Sequence, residues 1–276
     1  MNRALTTWKW SLGVIARSYP TVIVVAVLIA LWALAAYEWL GMPAESSSLL
    51  MILSLIWAVA QLLIATMIIG GTLAGAGETS ANEDKRFPPR SIWTQSRRKI
   101  ASTLLFCLAS LAIVSICSAA FDWINAHSVE VASFLTFRSQ KPVSYELIEK
   151  IDNGIELLLW TIVGGFLLSF YIAMRRMGWR GAGKQSAALF AACCYRTPFL
   201  TGLLSVLVFG GLIHELTRRH PIVPPGFWDY TQVVVRFSLA LFILSAGSLF
   251  WSLSLARLLT LKQGSSRSEQ SLPKSS

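Results

Sequence analysis

Charged side chains are scarce in this sequence. Asp, Glu, Lys and Arg together make up 14% of the 276 residues, whereas a soluble domain carries about 25%. The mean hydropathy is +0.58, and 54% of the residues are hydrophobic. These values exclude an ordinary soluble globular protein and are typical of a chain that crosses a membrane several times.

Cysteine is also rare, with four residues in the chain. Cys107 and Cys117 lie in one apolar run, Cys193 and Cys194 are neighbours, and no Cys-x-x-Cys occurs. This spacing gives no support to a zinc or thiol redox site, so packing is their expected role. The glycine-rich stretch 70–77 is not followed by Gly-Lys-Ser/Thr, so it is not a phosphate-binding loop. We therefore expect no cofactor.

Only three histidines are present. His214-Glu215 begins like the zinc motif H-E-x-x-H, but Arg218 stands where the second histidine is required. His220 is six residues from His214, which places it on a different part of a helix. The sequence therefore predicts a polar cluster of His214, Glu215 and Arg218 at the end of an apolar run, with no metal site and no catalytic residue.

Six apolar runs are long enough to cross a bilayer as helices. They cover residues 20–40, 49–76, 100–121, 154–174, 199–216 and 233–259. Residues 4–17 repeat apolar side chains at helical spacing, with Trp8 among them, which predicts an amphipathic helix in the membrane interface. The predicted fold is an all-α polytopic bundle of six transmembrane helices with interfacial amphipathic helices, in one domain of residues 1–262. The tail 263–276 is poor in apolar residues and is predicted to be disordered.

The distribution of basic residues predicts the orientation in the membrane. With the N-terminus inside, 18 of the 24 Lys and Arg residues lie in inner segments. Basic flanks are retained on the cytoplasmic side, so both termini are expected in the cytoplasm, with the protein in the bacterial plasma (inner) membrane. Because these residues border apolar spans, the net charge of +10 indicates contact with the lipid bilayer surface and not with nucleic acid.

The connector 78–99 is the most basic interruption between apolar runs. Its candidates for contact with lipid headgroups or with a partner are Arg86, Arg90, Trp93, Arg97, Arg98 and Lys99. Phe87-Pro88-Pro89 predicts a rigid turn, and Ser91 a helix cap before Ile92. Headgroup anchoring by a cytoplasmic loop is the favoured interpretation, and docking of a partner protein remains open.

Ionisable residues are missing from the centres of the predicted spans. Proton relays and ion pathways usually need such residues inside the bundle, so proton-coupled transport is disfavoured. Gln61 is the most polar residue near a span centre and could bond a neighbouring helix. Close helix contacts are expected at the glycine pairs Gly71/Gly75, Gly164/Gly165 and Gly210/Gly211.

The layout of the chain resembles a broad group of six-span bacterial membrane proteins. The likeness rests on the Trp8…Arg17…Pro20 entry, the basic segment before the third span, and Arg196-Thr-Pro198. Short basic-ended segments before spans one, three and five also suggest three units of a short helix plus a two-span hairpin. The membrane domain attached to some glycerophosphodiester phosphodiesterases belongs to this group. The 276 residues contain no soluble phosphodiesterase domain, so the resemblance implies the membrane architecture and not that activity.

Three functions are compatible with the sequence. The first is a non-enzymatic scaffold or accessory subunit of a membrane process, with lipid handling as its theme and a membrane protein as a possible partner. The second is a permease subunit similar in layout to type-2 ABC exporters, which would need a partner ATPase. The third, an intramembrane enzyme, is least favoured because no nucleophile–base pair or metal-ligand set is evident.

Overall fold

The computed structural model describes residues 2–40, 48–81, 86–140, 142, 144–218 and 227–270. All regular structure within these ranges is helical. The helices are α1 (Asn2–Arg17), α2 (Tyr19–Leu40), α3 (Ser48–Ala81), α4 (Pro89–Arg97), α5 (Ile100–Ala126), α6 (Ser128–Ser139), α7 (Tyr145–Lys184), α8 (Ser186–Cys194), α9 (Arg196–Ser205), α10 (Gly211–Arg218) and α11 (Phe227–Gln270). A π-helical segment, Val206–Gly210, joins α9 to α10.

Within the described ranges, six helical stretches are long and apolar enough to cross a membrane. They are Tyr19–Trp39, Leu50–Ala81, Ile100–Ala126, Tyr145–Lys184, Arg196–Leu216 and Thr231–Thr260. Each overlaps one of the six apolar runs in the sequence. The predicted all-α six-span fold is therefore confirmed, and the protein is a multi-pass integral membrane protein.

Some helices extend beyond the apolar runs that predicted them. The helix α3 continues past residue 76 to Ala81, and α7 begins at Tyr145, before the predicted start at residue 154. These extensions carry polar residues but no proline, so nothing in the sequence stops the helix. The helix α11 reaches Gln270, inside the tail predicted to be disordered, and residues 271–276 lie outside the described ranges.

Three short helices each lead directly into a spanning helix. The pairs are α1 with α2, α4 with α5, and α8 with α9. The breaks between them fall at Ser18, at Arg98 and Lys99, and at Tyr195. Lys99 adopts the left-handed conformation, with φ of 60°, which redirects the chain between α4 and α5. This order is the unit of short helix and spanning hairpin that the basic-ended segments suggest.

The helix α1 is amphipathic, and the face that it turns to the bundle includes polar residues. Leu5 and Leu12 are exposed, whereas Thr7, Ser11 and Val14 are buried. These three residues recur at intervals of four and three, so they share one face of the helix. Polar contacts then attach α1 to the rest of the protein, because one hydrogen bond joins Trp8 to α9 and another joins Ser11 to α11.

Two of these contacts are hydrogen bonds between side chains far apart in the chain. The Nε1 atom of Trp8 donates to Thr201 Oγ1 at 2.8 Å. The hydroxyl of Ser254 donates to Ser11 Oγ at 2.8 Å. In addition, the Arg257 guanidinium lies 5.0 Å from the ring centre of Trp10, a cation–π arrangement.

The glycine pairs differ in what they contact. A Cβ atom on Gly164 would lie 2.6 Å from Trp251, so this glycine allows the close approach of α7 and α11. By contrast, no described residue lies within 4 Å of a Cβ on Gly211, and among the described residues a Cβ on Gly210 would meet Val206 of its own helical stretch. Close packing at Gly210 and Gly211 was a wrong prediction, because both face away from neighbouring helices.

Gln61 makes no side-chain bond through its carbonyl oxygen. The side chain is buried, and its Oε1 atom has no partner among the described residues. Its backbone carbonyl instead accepts a hydrogen bond from Trp32 Nε1 at 3.0 Å. The contact between α2 and α3 at this depth is therefore made by a tryptophan N–H and not by the glutamine side chain.

Candidate functional site

A cleft of about 310 Å³ opens where the ends of α3 and α4 meet the part of α7 just before its kink at Gly178. We call it the basic cleft after its polar lining, which is Glu78, Gln95, Arg98, Lys99, Arg175 and Arg176. Its apolar lining comes from α3 and α7, including Leu73 and Ile172. The site thus has an apolar floor at the end of spanning helices and a polar rim formed largely by cations.

The helix α4 forms one wall of the cleft because the chain before it is anchored in the bundle. Phe87 is buried, at 1% exposure. Its backbone N–H donates to Ser18 Oγ at 2.7 Å, and its carbonyl accepts from Thr21 Oγ1. The connector is therefore attached to the junction of α1 and α2 just before α4 begins.

Close approach to α3 fixes the other side of this connector. A Cβ atom on Gly75 would lie 2.2 Å from Phe87 Cε2, and one on Gly71 would lie 2.4 Å from the Ile92 carbonyl oxygen. Such distances leave no room for a side chain. The prediction that Gly71 and Gly75 form a site of close packing is thus confirmed. The segment that packs against them is the connector, including α4.

The start of α4 differs from the prediction. The first residue is Pro89, Pro88 is the N-cap, and no side chain in the described ranges caps the helix. Ser91 lies inside the first turn and donates from its hydroxyl to the Pro88 carbonyl at 2.6 Å. The prediction that Ser91 caps the helix was therefore wrong. A proline, whose φ is fixed, stands at the first helical position and starts the helix.

Arg175 holds the end of α4. Its guanidinium donates from Nη1 to the Arg98 carbonyl oxygen. It donates from Nη2 to the Gln95 carbonyl oxygen and to Gln95 Oε1, both at 3.2 Å. The last carbonyls of a helix have no partner within the helix, and a guanidinium can bond two of them. Arg175 is therefore a positioning residue for α4.

The remaining polar groups leave the cleft positive. Lys99 donates from Nζ to the Arg175 carbonyl oxygen at 3.1 Å, and Arg176 donates from Nη2 to Thr260 Oγ1 at 3.1 Å. The single lining carboxylate, Glu78, accepts from Gln95 Nε2. Four cations thus share the cleft with one carboxylate. Such a site favours an anion with several oxygens, since guanidinium and ammonium groups form charge-assisted hydrogen bonds with phosphate.

The structure divides the predicted contact residues into two groups. Arg98 and Lys99 line the basic cleft, whereas Arg86, Arg90, Trp93 and Arg97 lie outside it. The guanidinium of Arg97 sits 4.7 Å from the ring centre of Trp93, which is 55% exposed. Trp93 and Arg97 therefore form an outward pair at the same end of the bundle as the cleft.

Sequence reasoning did not connect Arg175 and Arg176 with the connector. They count toward the basic bias of the inner segments, but no local pattern indicates which distant basic segment they meet. The geometry brings them to Arg98 and Lys99 because α5 and α7 pack side by side. The Tyr171 hydroxyl marks this packing, since it lies 3.3 Å from Thr103 Oγ1 of α5 and donates to the Gly70 carbonyl of α3 at 3.0 Å.

The second predicted cluster lies in α10. His214 and Glu215 are both exposed, while the side chain of Arg218 is outside the described part of the chain, as is His220. Among the residues that the structure describes, no group of three or more His, Cys, Asp or Glu side chains is placed to hold a metal ion.

The six candidate spans agree with the layout on which the resemblance to six-span bacterial membrane proteins rests. The family itself is not established by that layout. Comparison of the chain with protein families, with curated proteins and with solved structures gives no match.

Proposed function

We propose that the protein is a non-enzymatic scaffold or accessory subunit of a membrane process, and that its basic cleft binds an anionic lipid headgroup. The observation that carries this proposal is the lining of the cleft by Arg98, Lys99, Arg175 and Arg176 with one carboxylate, Glu78. A phosphate group bearing negative charge matches both the charge and the donors of this lining.

A lipid is favoured over a soluble anion because of where the cleft lies. Its apolar floor, which includes Leu73 and Ile172, belongs to α3 and α7, and both helices are candidate membrane spans. A phospholipid joins a charged headgroup to apolar chains, so it can contact the cationic rim and the apolar floor together. The predicted orientation places this end on the cytoplasmic side, where anionic lipids attract basic segments.

The chemistry of the cleft supports binding more than catalysis. Arg175 is engaged with backbone carbonyls of α4, and Glu78 with the amide of Gln95. General acid–base catalysis needs a group with a suitable pKa within hydrogen-bond reach of the reacting atom. The guanidinium and ammonium groups of this cleft are multiple hydrogen-bond donors with no acceptor, so they are suited to hold an anion.

Arg98, the residue that follows α4, provides the direct test, with Arg90 of α4 as its control. Both side chains are exposed, but only Arg98 lines the cleft. Each arginine is replaced by alanine, and the proteins are extracted from bilayers that contain equal phosphatidylglycerol and phosphatidylcholine. Native mass spectrometry then measures the retained phosphatidylglycerol.

We expect R98A to retain roughly fivefold less phosphatidylglycerol than the unmodified protein, since a cation near an anionic surface contributes about 1 kcal/mol. R90A should match the unmodified protein. Equal loss in both variants would indicate general surface attraction. No enrichment of the anionic lipid in the unmodified protein would remove the proposal.

A permease subunit is the second candidate, and α4 is the observation that favours it. This short helix connects the second and third candidate spans and exposes Trp93 and Arg97 away from the bundle. A partner ATPase could contact that face. The test is co-purification of an ATPase with the unmodified protein, and its loss when Trp93 and Arg97 are replaced by alanine. Absence of any associated ATPase would eliminate this candidate.

A further inference from the structure

A second cavity, of about 390 Å³, lies among the spanning helices. Helices α2, α3, α5, α7 and α11 each contribute to its wall, for example through Ile29, Ile68, Phe106, Leu168 and Leu244. We call it the apolar cavity. Its volume is within the range of small-molecule sites, roughly 300–1,000 Å³, and its location is distinct from the polar rim of the basic cleft.

The apolar cavity lies at membrane depth. Ser110 on α5 lines it and is about 17 Å along the helix from Lys99, at 1.5 Å per residue. Trp251 on α11 also lines it, about 14 Å from Thr260 by the same rise. Since the hydrocarbon core of a bilayer is about 30 Å thick, both side chains lie near its middle.

Three hydroxyl groups of the cavity wall are satisfied within their own helices. Thr72 donates to the Ile68 carbonyl at 2.7 Å. Ser248 and Ser252 donate to the carbonyls of Ser245 and Ser248, at 3.0 and 2.7 Å. These hydroxyls therefore present no free donor to the cavity.

Two other polar groups of the wall behave differently. The Ser110 hydroxyl and the Trp251 indole N–H are buried, and neither has a hydrogen-bond partner within the described ranges. An indole N–H can only donate. A buried donor without an acceptor costs about 1–3 kcal/mol, so a ligand oxygen at this place would be favourable.

The wall also restricts the charge and shape of the ligand. Among the described residues that line the cavity, none is Asp, Glu, Lys, Arg or His, so an ion would be buried without a counter-charge. Phe106 and Trp251 contribute aromatic rings to the lining, which suit a flat ring. The ligand is therefore uncharged, largely apolar and equipped with a hydrogen-bond acceptor.

From these observations we infer that the apolar cavity binds a membrane-soluble carbonyl compound of the quinone type, with Trp251 and Ser110 donating to its carbonyl oxygens. A quinone is uncharged and planar, and it can reach the middle of the bilayer. The ester carbonyls of a phospholipid stay near the headgroups, so they fit the depth of Ser110 and Trp251 less well. The inference does not depend on lipid binding at the basic cleft.

The experiment uses the full chain in phosphatidylcholine nanodiscs with an azido-substituted ubiquinone analogue as the photoaffinity probe. Trp251→Phe keeps an aromatic ring but removes the N–H donor. Ser110→Leu fills the cavity, and Ser115→Leu, at an exposed position of the same helix, is its matched control. Labelling is measured against probe concentration, and the labelled peptides are identified by mass spectrometry.

We expect saturable labelling of the segments of α5 and α11 that carry Ser110 and Trp251. W251F should weaken the apparent affinity roughly two- to tenfold, the range for one hydrogen bond, and S110L should abolish saturable labelling. S115L should behave as the unmodified protein.

Labelling that rises linearly with probe would overturn the inference, since phosphatidylcholine or simple partition would then explain occupancy. Unchanged affinity in W251F would overturn the assignment of the donor, even if S110L failed to fold. Equal effects of S110L and S115L would show that the change is not specific to the cavity.

Discussion

Arg175 of α7 donates from Nη2 to the backbone carbonyl oxygen of Gln95, in the last turn of α4, at 3.2 Å. The same guanidinium also bonds the carbonyl of Arg98. The Arg175 side chain, on a spanning helix, therefore donates hydrogen bonds to the backbone carbonyls at the end of α4. This contact determines where Arg98 and Lys99 lie, and so it assembles the basic cleft.

Replacing Arg175 with alanine should loosen α4 without unfolding the bundle. The variant leaves the carbonyls of Gln95 and Arg98 without the donors that they have now. Hydrogen bonds to charged groups contribute about 1.5–3 kcal/mol, so amide exchange in Pro89–Arg97 should accelerate at least roughly tenfold. Hydrogen–deuterium exchange with mass spectrometry measures this change.

Arg180 offers a control for that experiment, because it is an exposed arginine of α7 that lies just beyond the kink at Gly178. R180A should leave exchange in α4 unchanged. R175K tests the geometry, since an ammonium keeps the charge but lacks the fork of two donors, and it should not restore full protection. Normal exchange of α4 in R175A would contradict the positioning role.

The Gly75→Ala variant should be destabilised by overpacking. The added Cβ would lie 2.2 Å from the buried ring of Phe87. Inserting a methyl group into a tightly packed site typically costs about 1–3 kcal/mol, and here it would push the connector away from α3. The measurement is the midpoint of thermal unfolding in detergent.

Gly154→Ala is the comparison for this variant, because no described residue lies within 4 Å of a Cβ at that position of α7. Alanine is favoured over glycine in a helix by roughly 1 kcal/mol, so G154A should be neutral or more stable. A G75A midpoint equal to or above that of G154A would show that Phe87 moves aside at no cost.

Tyr171→Phe should weaken the contact of α7 with α3. Tyr171 is fully buried, and its hydroxyl donates to the Gly70 carbonyl at 3.0 Å. Side-chain hydrogen bonds between spanning helices average about 0.6 kcal/mol, so a small decrease in the free energy of unfolding is expected in a reversible denaturation assay. Tyr37→Phe, at a 73% exposed position, should leave that free energy unchanged, and an equal effect of both variants would exclude a specific role for the buried hydroxyl.

Local sequence patterns predicted the elements of the fold better than their contacts. The apolar runs predicted the six spans because hydrocarbon tolerates only helices with internally satisfied backbones. The pair Gly71 and Gly75 predicted close packing, but not that the neighbour would be the connector. A residue type and its spacing describe one helix face, whereas the partner depends on the whole arrangement.

In the candidate sites, too, the sequence indicated individual residues better than it indicated their contacts. Arg98 and Lys99 are recognisable from the basic connector, but Arg175 meets them from a distant helix. The buried hydroxyl of Ser11 pairs with Ser254 from the opposite end of the chain, although a serine in an amphipathic helix is expected to face water. The Trp251 N–H, which has no partner among the described residues, could not be predicted at all, because hydrogen-bond satisfaction depends on every neighbour.

The orientation in the membrane gives a final prediction, which rests on the bias of basic residues. In a variant without native cysteines, Arg90→Cys on α4 and Glu149→Cys on α7 place single thiols at exposed positions. A membrane-impermeant maleimide added to intact cells should label E149C and not R90C, because α4 is expected on the cytoplasmic side. Inverted membrane vesicles should show the opposite result. Labelling of R90C in intact cells would reverse the orientation, and the basic cleft would then face an outer leaflet instead of the anionic cytoplasmic surface.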